Sequence, residues 1–131
     1  MQDCAGRLHP KAREGIRLFN RGRYFEAHEE LEAAWRSETG RIRELYQGIL
    51  EAGVTYLHLR RGNLAGAEKV YRRSMRWLTD WPEVCRGAQI GQLRRDLETA
   101  LTEATRLGAG RLDQLHGDYF KPLIWSEPED G

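Results

Sequence analysis

Two histidines and several acidic or amide residues stand at spacings that bring side chains together on helices. His28 and Glu32 are one turn apart, the i, i+4 relation at which helical side chains meet. A period of 3.6 residues gathers Tyr24, Phe25, Leu31 and Trp35 into an apolar face, with His28 and Glu32 in its middle and Glu29 at its edge. Glu26 and Glu30 then point to solvent. Burying an unpaired charge is costly or forces the group neutral. This register therefore predicts His28 and Glu32 to be buried and partnered, in the first instance with each other. Gln47, Glu51 and His58 form a second line at i, i+4 and i+11. Antiparallel packing of the two helices would turn that line toward His28 and Glu32. Imidazoles and carboxylates together suit a divalent cation such as zinc, iron or manganese, and helical bundles build such sites between facing helices. A buried Glu beside a His also suits general acid–base work. The third use is structural: a hydrogen-bonded network that fixes the register of two helices. No HExxH, paired Glu-x-x-His or nucleophile elbow accompanies these residues, so spacing alone favours the structural use.

The elements that must carry these residues are helices. Pro10 suits the first turn of a helix over 11–21, with Ala12, Ile16 and Phe19 as its stripe and Gly22 as its stop. Further helices are expected over 24–36, 41–61, 64–78 and 92–107, each with apolar residues three and four apart. Gly62-Asn63 breaks the third from the fourth, Trp81-Pro82 ends the fourth, and Gly108 and Gly110 stop the fifth. No sustained period of two appears, so no sheet is expected. Phe19-x-x-Gly22-x-Tyr24-x-x-Ala27 repeats as Leu59-x-x-Gly62-x-Leu64-x-x-Ala67, with Leu31 matching Tyr71 and Trp35 matching Met75 at the same offset. Each copy is a helix, a glycine turn and a second helix, over 11–36 and 41–78. The spacing resembles the tetratricopeptide pattern, but two copies fall short of the three or so a solenoid needs. The expected fold is all-α, a compact bundle of about five helices containing two similar hairpins.

A length of 131 residues fits one domain over 1–131, with residues 108–131 as a packed tail. Hydrophobic residues make up 40% and charged residues 31%, which excludes a disordered chain. No apolar run approaches the ~18 residues that span a bilayer, and Met1-Gln2-Asp3-Cys4 carries no apolar signal core. A cytoplasmic location without membrane partners is the default expectation. The net charge of +1 argues against a nucleic-acid partner. Cys4 and Cys85 match no metal-ligand spacing and read as two reduced thiols. His9 and His116 fall in expected loops as surface residues. Arg60, Arg61, Lys69, Arg72, Arg73 and Arg76 read as a solvated helix face rather than a basic patch. Trp77, Trp81 and Trp125 read as core or tail packing, with a homodimer contact as a further use.

The run from Phe19 to Glu32, with Trp35 after it, resembles the signature of the family called domain of unknown function 309. Tyr46-Gln47-Gly48-Ile49 and the stretch Leu57 to Ala67 resemble its second and third motifs. The resemblance covers about residues 10–80 and implies a small all-α prokaryotic protein. Members often carry the label of metal-dependent hydrolase, itself a prediction. The resemblance implies motif positions at His28, Glu29, Glu32, Gln47 and His58. At Glu51 the chain departs from it, because Gln is commoner there. Two functional expectations follow: a metal-binding, hydrolase-like site on the His/Glu/Gln cluster, or a non-enzymatic tetratricopeptide-like module for binding a protein partner.

Overall fold

The computed structural model describes residues 2–128; the outermost ends of the expected domain, Met1 and residues 129–131, lie outside the described residues. Five α-helices dominate: α1 Pro10–Asn20, α2 Tyr24–Ser37, α3 Ile42–Arg60, α4 Leu64–Leu78 and α5 Ile90–Leu107. The all-α expectation holds, and no described helix is long and apolar enough to cross a membrane. Pro10 opens α1, where a missing N–H costs nothing. His9 is more than a surface residue. Its ring Nδ1 accepts from the Lys11 N–H at 3.0 Å as the cap of α1, and its own N–H donates to the Tyr46 hydroxyl at 2.9 Å.

The two hairpins close in the same way. Gly22 and Gly62 take φ of +76° and +77°. Arg23 N–H donates to Leu18 O at 2.9 Å, and Asn63 N–H donates to His58 O at 2.8 Å. This is the six-to-one bond that ends a helix on a left-handed residue, a conformation glycine adopts at little cost. Asn63 then caps α4 through Oδ1, which accepts from Gly66 N–H at 2.9 Å.

The helices stack in chain order: α1 packs on α2, α2 and α4 pack on α3 from its two sides, and α5 joins α4. Because α3 is covered on both flanks, most of its residues are buried. Gly48 permits close approach, since a Cβ there would stand 2.5 Å from Leu78 Cδ2. Phe19, Tyr24 and Tyr56 pack edge to face or tilted, with centroids 5.3–5.8 Å apart, and join Ile16, Leu31, Ile49, Leu93 and Leu97 in the core. Leu50 and Leu57 are buried, whereas Trp35 and Tyr71 are only partly covered.

Two expectations are overturned between α4 and α5. Val84–Cys85 (β1) and Ala88–Gln89 (β2) form a two-stranded antiparallel ribbon where no sheet was expected. Arg86 and Gly87, with φ of +49° and +86°, make its turn. Positive φ at both central residues is what a tight hairpin requires. Strands two residues long are too short to show an alternating pattern. The second correction concerns the cysteines: Cys4 and Cys85, expected as reduced thiols, form a disulfide across 81 residues. The fold makes the pair, because the ribbon receives both ends of the described chain. Arg86 N–H donates to Cys4 O at 3.1 Å, and Gln89 N–H donates to Ile124 O at 2.8 Å. The tail packs through buried Leu112, Leu115 and Leu123, and Phe120 lies 5.5 Å from the Tyr56 ring.

Candidate functional site

The register of α2 decides where the polar residues go. Its buried residues are Tyr24, Ala27, Leu31 and Ala34. The stripe Phe25, His28, Glu32 and Trp35 lies one residue round the helix, about 100° away, on exposed or half-buried positions. His28 and Glu32 are therefore half-exposed, with side chains 33% and 35% accessible, and the expectation of a buried pair is corrected. The mistake lay in weighting Phe25 as core. It is 58% exposed, while small Ala27 and Ala34 form the contact.

The expected pairing of His28 and Glu32 is present but loose, with Nε2 and Oε2 3.7 Å apart. Glu32 is also paired with Arg36. The His28 ring stacks against Phe25 with centroids 6.1 Å apart. His58 approaches from α3: Phe25, His28, Val54, Leu57, His58 and Arg61 line one depression of about 220 Å³. His58 Nδ1 also lies 3.2 Å from the Asn63 side-chain nitrogen. Glu29 is exposed on the outside of α2.

Gln47 and Glu51 lie on the other flank of α3, against α4. With Arg73, Arg76 and Trp77 they line a cleft of about 410 Å³. Glu51 is only 7% exposed. One of its oxygens faces Arg73 Nε at 3.3 Å, and the other, Oε2, is buried with no hydrogen-bond partner among the described residues. Desolvation pushes its carboxyl up from the ordinary value, against the opposing pull of Gln47, the Arg73 and Arg76 charges and Trp77. The six sequence candidates thus divide. His28, Glu32 and His58 gather on the α2 side, Gln47 and Glu51 on the α4 side, and Glu29 faces outward.

This division bears on the cation that the cluster suggested. A bound divalent ion needs three or more donors converging at about 2.0–2.2 Å. No group of three His, Cys, Asp or Glu among the described residues is arranged to hold one. The donors do not fit a metal. Arg73, Arg76 and Trp77 had been read as solvated surface and packing. Their i, i+3, i+4 spacing in α4 is the signal that three side chains share one edge, but nothing in that spacing shows Glu51 opposite.

A family model described as "Domain of unknown function (DUF309)" matches residues 12–70. Over those residues the chain is similar to that family. The DUF309 segment runs from α1 into α4 and carries all six candidate residues. An uncharacterized protein of Aquifex aeolicus (strain VF5) is 27% identical over 90 residues, which is 68% of this chain and 27% of the relative. The uncharacterized protein YpuF of Bacillus subtilis (strain 168) is 39% identical over 56 residues, 42% of this chain and 32% of the relative. The chain spans about a third or less of the length of these curated relatives.

Proposed function

We propose that the chain is a non-enzymatic helical binding module, whose groove over α3 takes an acidic, amphipathic segment of a partner protein. The observation that carries this reading is the pair of depressions beside α3, one shared with α2 and one with α4. Between them, half-buried Gln47 and Val54 and exposed Arg61 follow one another at spacings of seven, with Leu50 and Leu57 buried beneath, so one face of α3 and its end stays within reach of another chain. Exposed aromatics flank it at opposite ends: Phe25 on the α2 side, and Trp77, 38% exposed, on the α4 side. Paired aromatics of this kind are common anchors at protein interfaces. Charge selects the occupant. Arg61, Arg73 and Arg76 line the two depressions against the single carboxylate of Glu51, so an acidic partner is favoured. From Gln47 to Arg61 the track runs ~21 Å along the helix.

The test is retention of randomised peptides of about 14 residues, long enough to cover that track, on the immobilised chain. Peptides rich in acidic and apolar residues should be enriched, and their affinities should fall at least tenfold in Phe25→Ser and in the double variant Arg73→Glu, Arg76→Glu. Retention indifferent to peptide charge, or unchanged in those variants, refutes the reading. A chain that is dimeric in solution and becomes monomeric in Phe25→Ser assigns the groove to a second copy and overturns the partner proposed here.

A further inference from the structure

The Glu51 cleft has a chemistry narrower than the groove around it. Glu51 is a buried carboxylate on the central helix, held in place by its helical backbone. Its Oε1 is engaged by Arg73, and Oε2 is buried with no well-formed hydrogen bond among the described residues, although the Gln47 and Trp77 side chains stand near enough to act on the carboxyl. A buried acceptor without a donor is costly, so an occupant that brings an N–H or O–H to this atom gains more than it would at an exposed carboxylate. Beside this acceptor stand two guanidinium groups, Arg73 and Arg76, both on exposed residues at the rim. Trp77 forms a further wall, with its indole partly open. One acid and two bases leave the cleft with a formal charge of +1.

An occupant that matches all of this carries a hydrogen-bond donor and an anion a few ångströms apart, bears net negative charge, and presents an apolar group to the indole. A bare inorganic anion satisfies the arginines but brings no apolar group. A lysine or arginine side chain satisfies Glu51 but is repelled by Arg73 and Arg76. The last residue of a polypeptide has the whole set. Its backbone N–H is separated from its free carboxylate by one carbon, its charge is −1, and its side chain projects beside both. Guanidinium groups bind carboxylates in a forked, two-bond geometry, and capture of a chain end is an established mode of peptide recognition.

We infer that the cleft between α3 and α4 binds the free C-terminal residue of the partner chain: its carboxylate on Arg73 and Arg76, its backbone N–H on Glu51 Oε2, and its side chain against Trp77. The rest of the segment then runs along the α3 stripe toward Phe25 and His58. This rests on the binding-module reading and supplies its polarity, because the chain end lies at Trp77 and the upstream residues lie at Phe25. It also gives the buried Glu51 a use that neither a metal site nor a helix-register network provides.

The experiment compares two randomised peptide pools that are identical except at the end, one with a free C-terminal carboxylate and one with a C-terminal amide. Both are acetylated at the N-terminus and passed over the wild-type chain. The free-acid pool should be retained, and individual retained sequences should bind at least tenfold more tightly than their amides by fluorescence anisotropy. Arg76→Gln, at an exposed position, should reduce that preference while leaving the melting temperature in place, and Arg73→Gln should reduce it with some loss of stability, because Arg73 also faces the buried Glu51. Glu51→Leu should weaken the binding of acid and amide alike, because both bring the same backbone N–H; circular dichroism on that variant separates loss of binding from loss of folding. Equal retention of acid and amide, with acidic and apolar sequences still enriched, overturns the chain-end assignment and leaves the groove reading standing. Retention of neither pool overturns both.

Discussion

Breaking the link between Cys4 and Cys85 should be the most damaging change that leaves every helix intact. The bond spans 81 residues and closes a loop that contains α1 to α4. In the chain-entropy account, a cross-link over a loop of this size removes about 15 cal/mol/K of entropy from the unfolded chain, which is about 4.5 kcal/mol at 25 °C. A chain of 131 residues unfolds with an entropy near 0.28 kcal/mol/K, so the melting temperature should fall by roughly 16 °C. Cys85 is fully buried and sits in β1, so its replacement would also disturb packing. Cys4→Ser is the cleaner perturbation. The assay is scanning calorimetry of wild type with and without a phosphine reductant, and of Cys4→Ser without it. The reduced wild type and the variant should melt together, well below the oxidised protein. A thiol titration should find no free sulfhydryl before reduction and two after. Coincident melts of oxidised and reduced protein would refute the view that the ribbon holds the N-terminal segment through this bond.

Core and groove should respond in opposite ways. Leu31→Ala, at a fully buried position, should cost about 2–5 kcal/mol in urea unfolding, while Phe25→Ser should cost under ~0.5 kcal/mol because the ring is mostly exposed; equal costs would restore the rejected register of α2. Glu51 also sets a pH dependence. Its carboxyl is raised in the folded chain, so the folded state holds the proton to higher pH than the unfolded state does. The sign follows: the penalty is absent below the ordinary value of 4.5, and stability falls as pH rises from there through the folded value. Glu51→Gln should remove that slope from a denaturation series run across the window, and an unaltered slope would assign it to other groups.

The helices were readable in the sequence because each carries its own signals. Pro10, Gly22, Gly62-Asn63 and Gly108 mark ends, and the 40-residue offset between Gly22 and Gly62 reappears as one turn geometry used twice. The site was less readable because it depends on rotation and on pairing at a distance. In α2 the choice between two neighbouring stripes turned on whether Phe25 or Ala27 faces inward. A hydrophobicity count prefers the phenylalanine, whereas close helix packing selects the alanine. Gln47, Glu51 and His58 do share one line on α3, but they line two different depressions, Gln47 and Glu51 the one toward α4 and His58 the one toward α2. Arg73 and Arg76 acquire meaning only once α4 lies against Glu51. The disulfide was hidden for the same reason: residues 81 apart meet through a ribbon too short to show a period.

That ribbon also determines where the chain can be cut and joined. Residues 3–7 and 124–127 converge on it. Arg86 binds Asp3 O at 2.7 Å and Arg7 O at 3.1 Å, Ser126 N–H reaches Gly87 O at 3.1 Å, and Glu127 pairs with Arg7 and Arg13. Thr39 and Gly40 are exposed in the connection between the two hairpins. A linker joining the converging segments, with new termini opened at Thr39-Gly40, leaves all five helices and the α3 groove uncut, and exposed connections of this kind are where such rearrangements succeed. The order of the helices along the chain is therefore separable from their order in space.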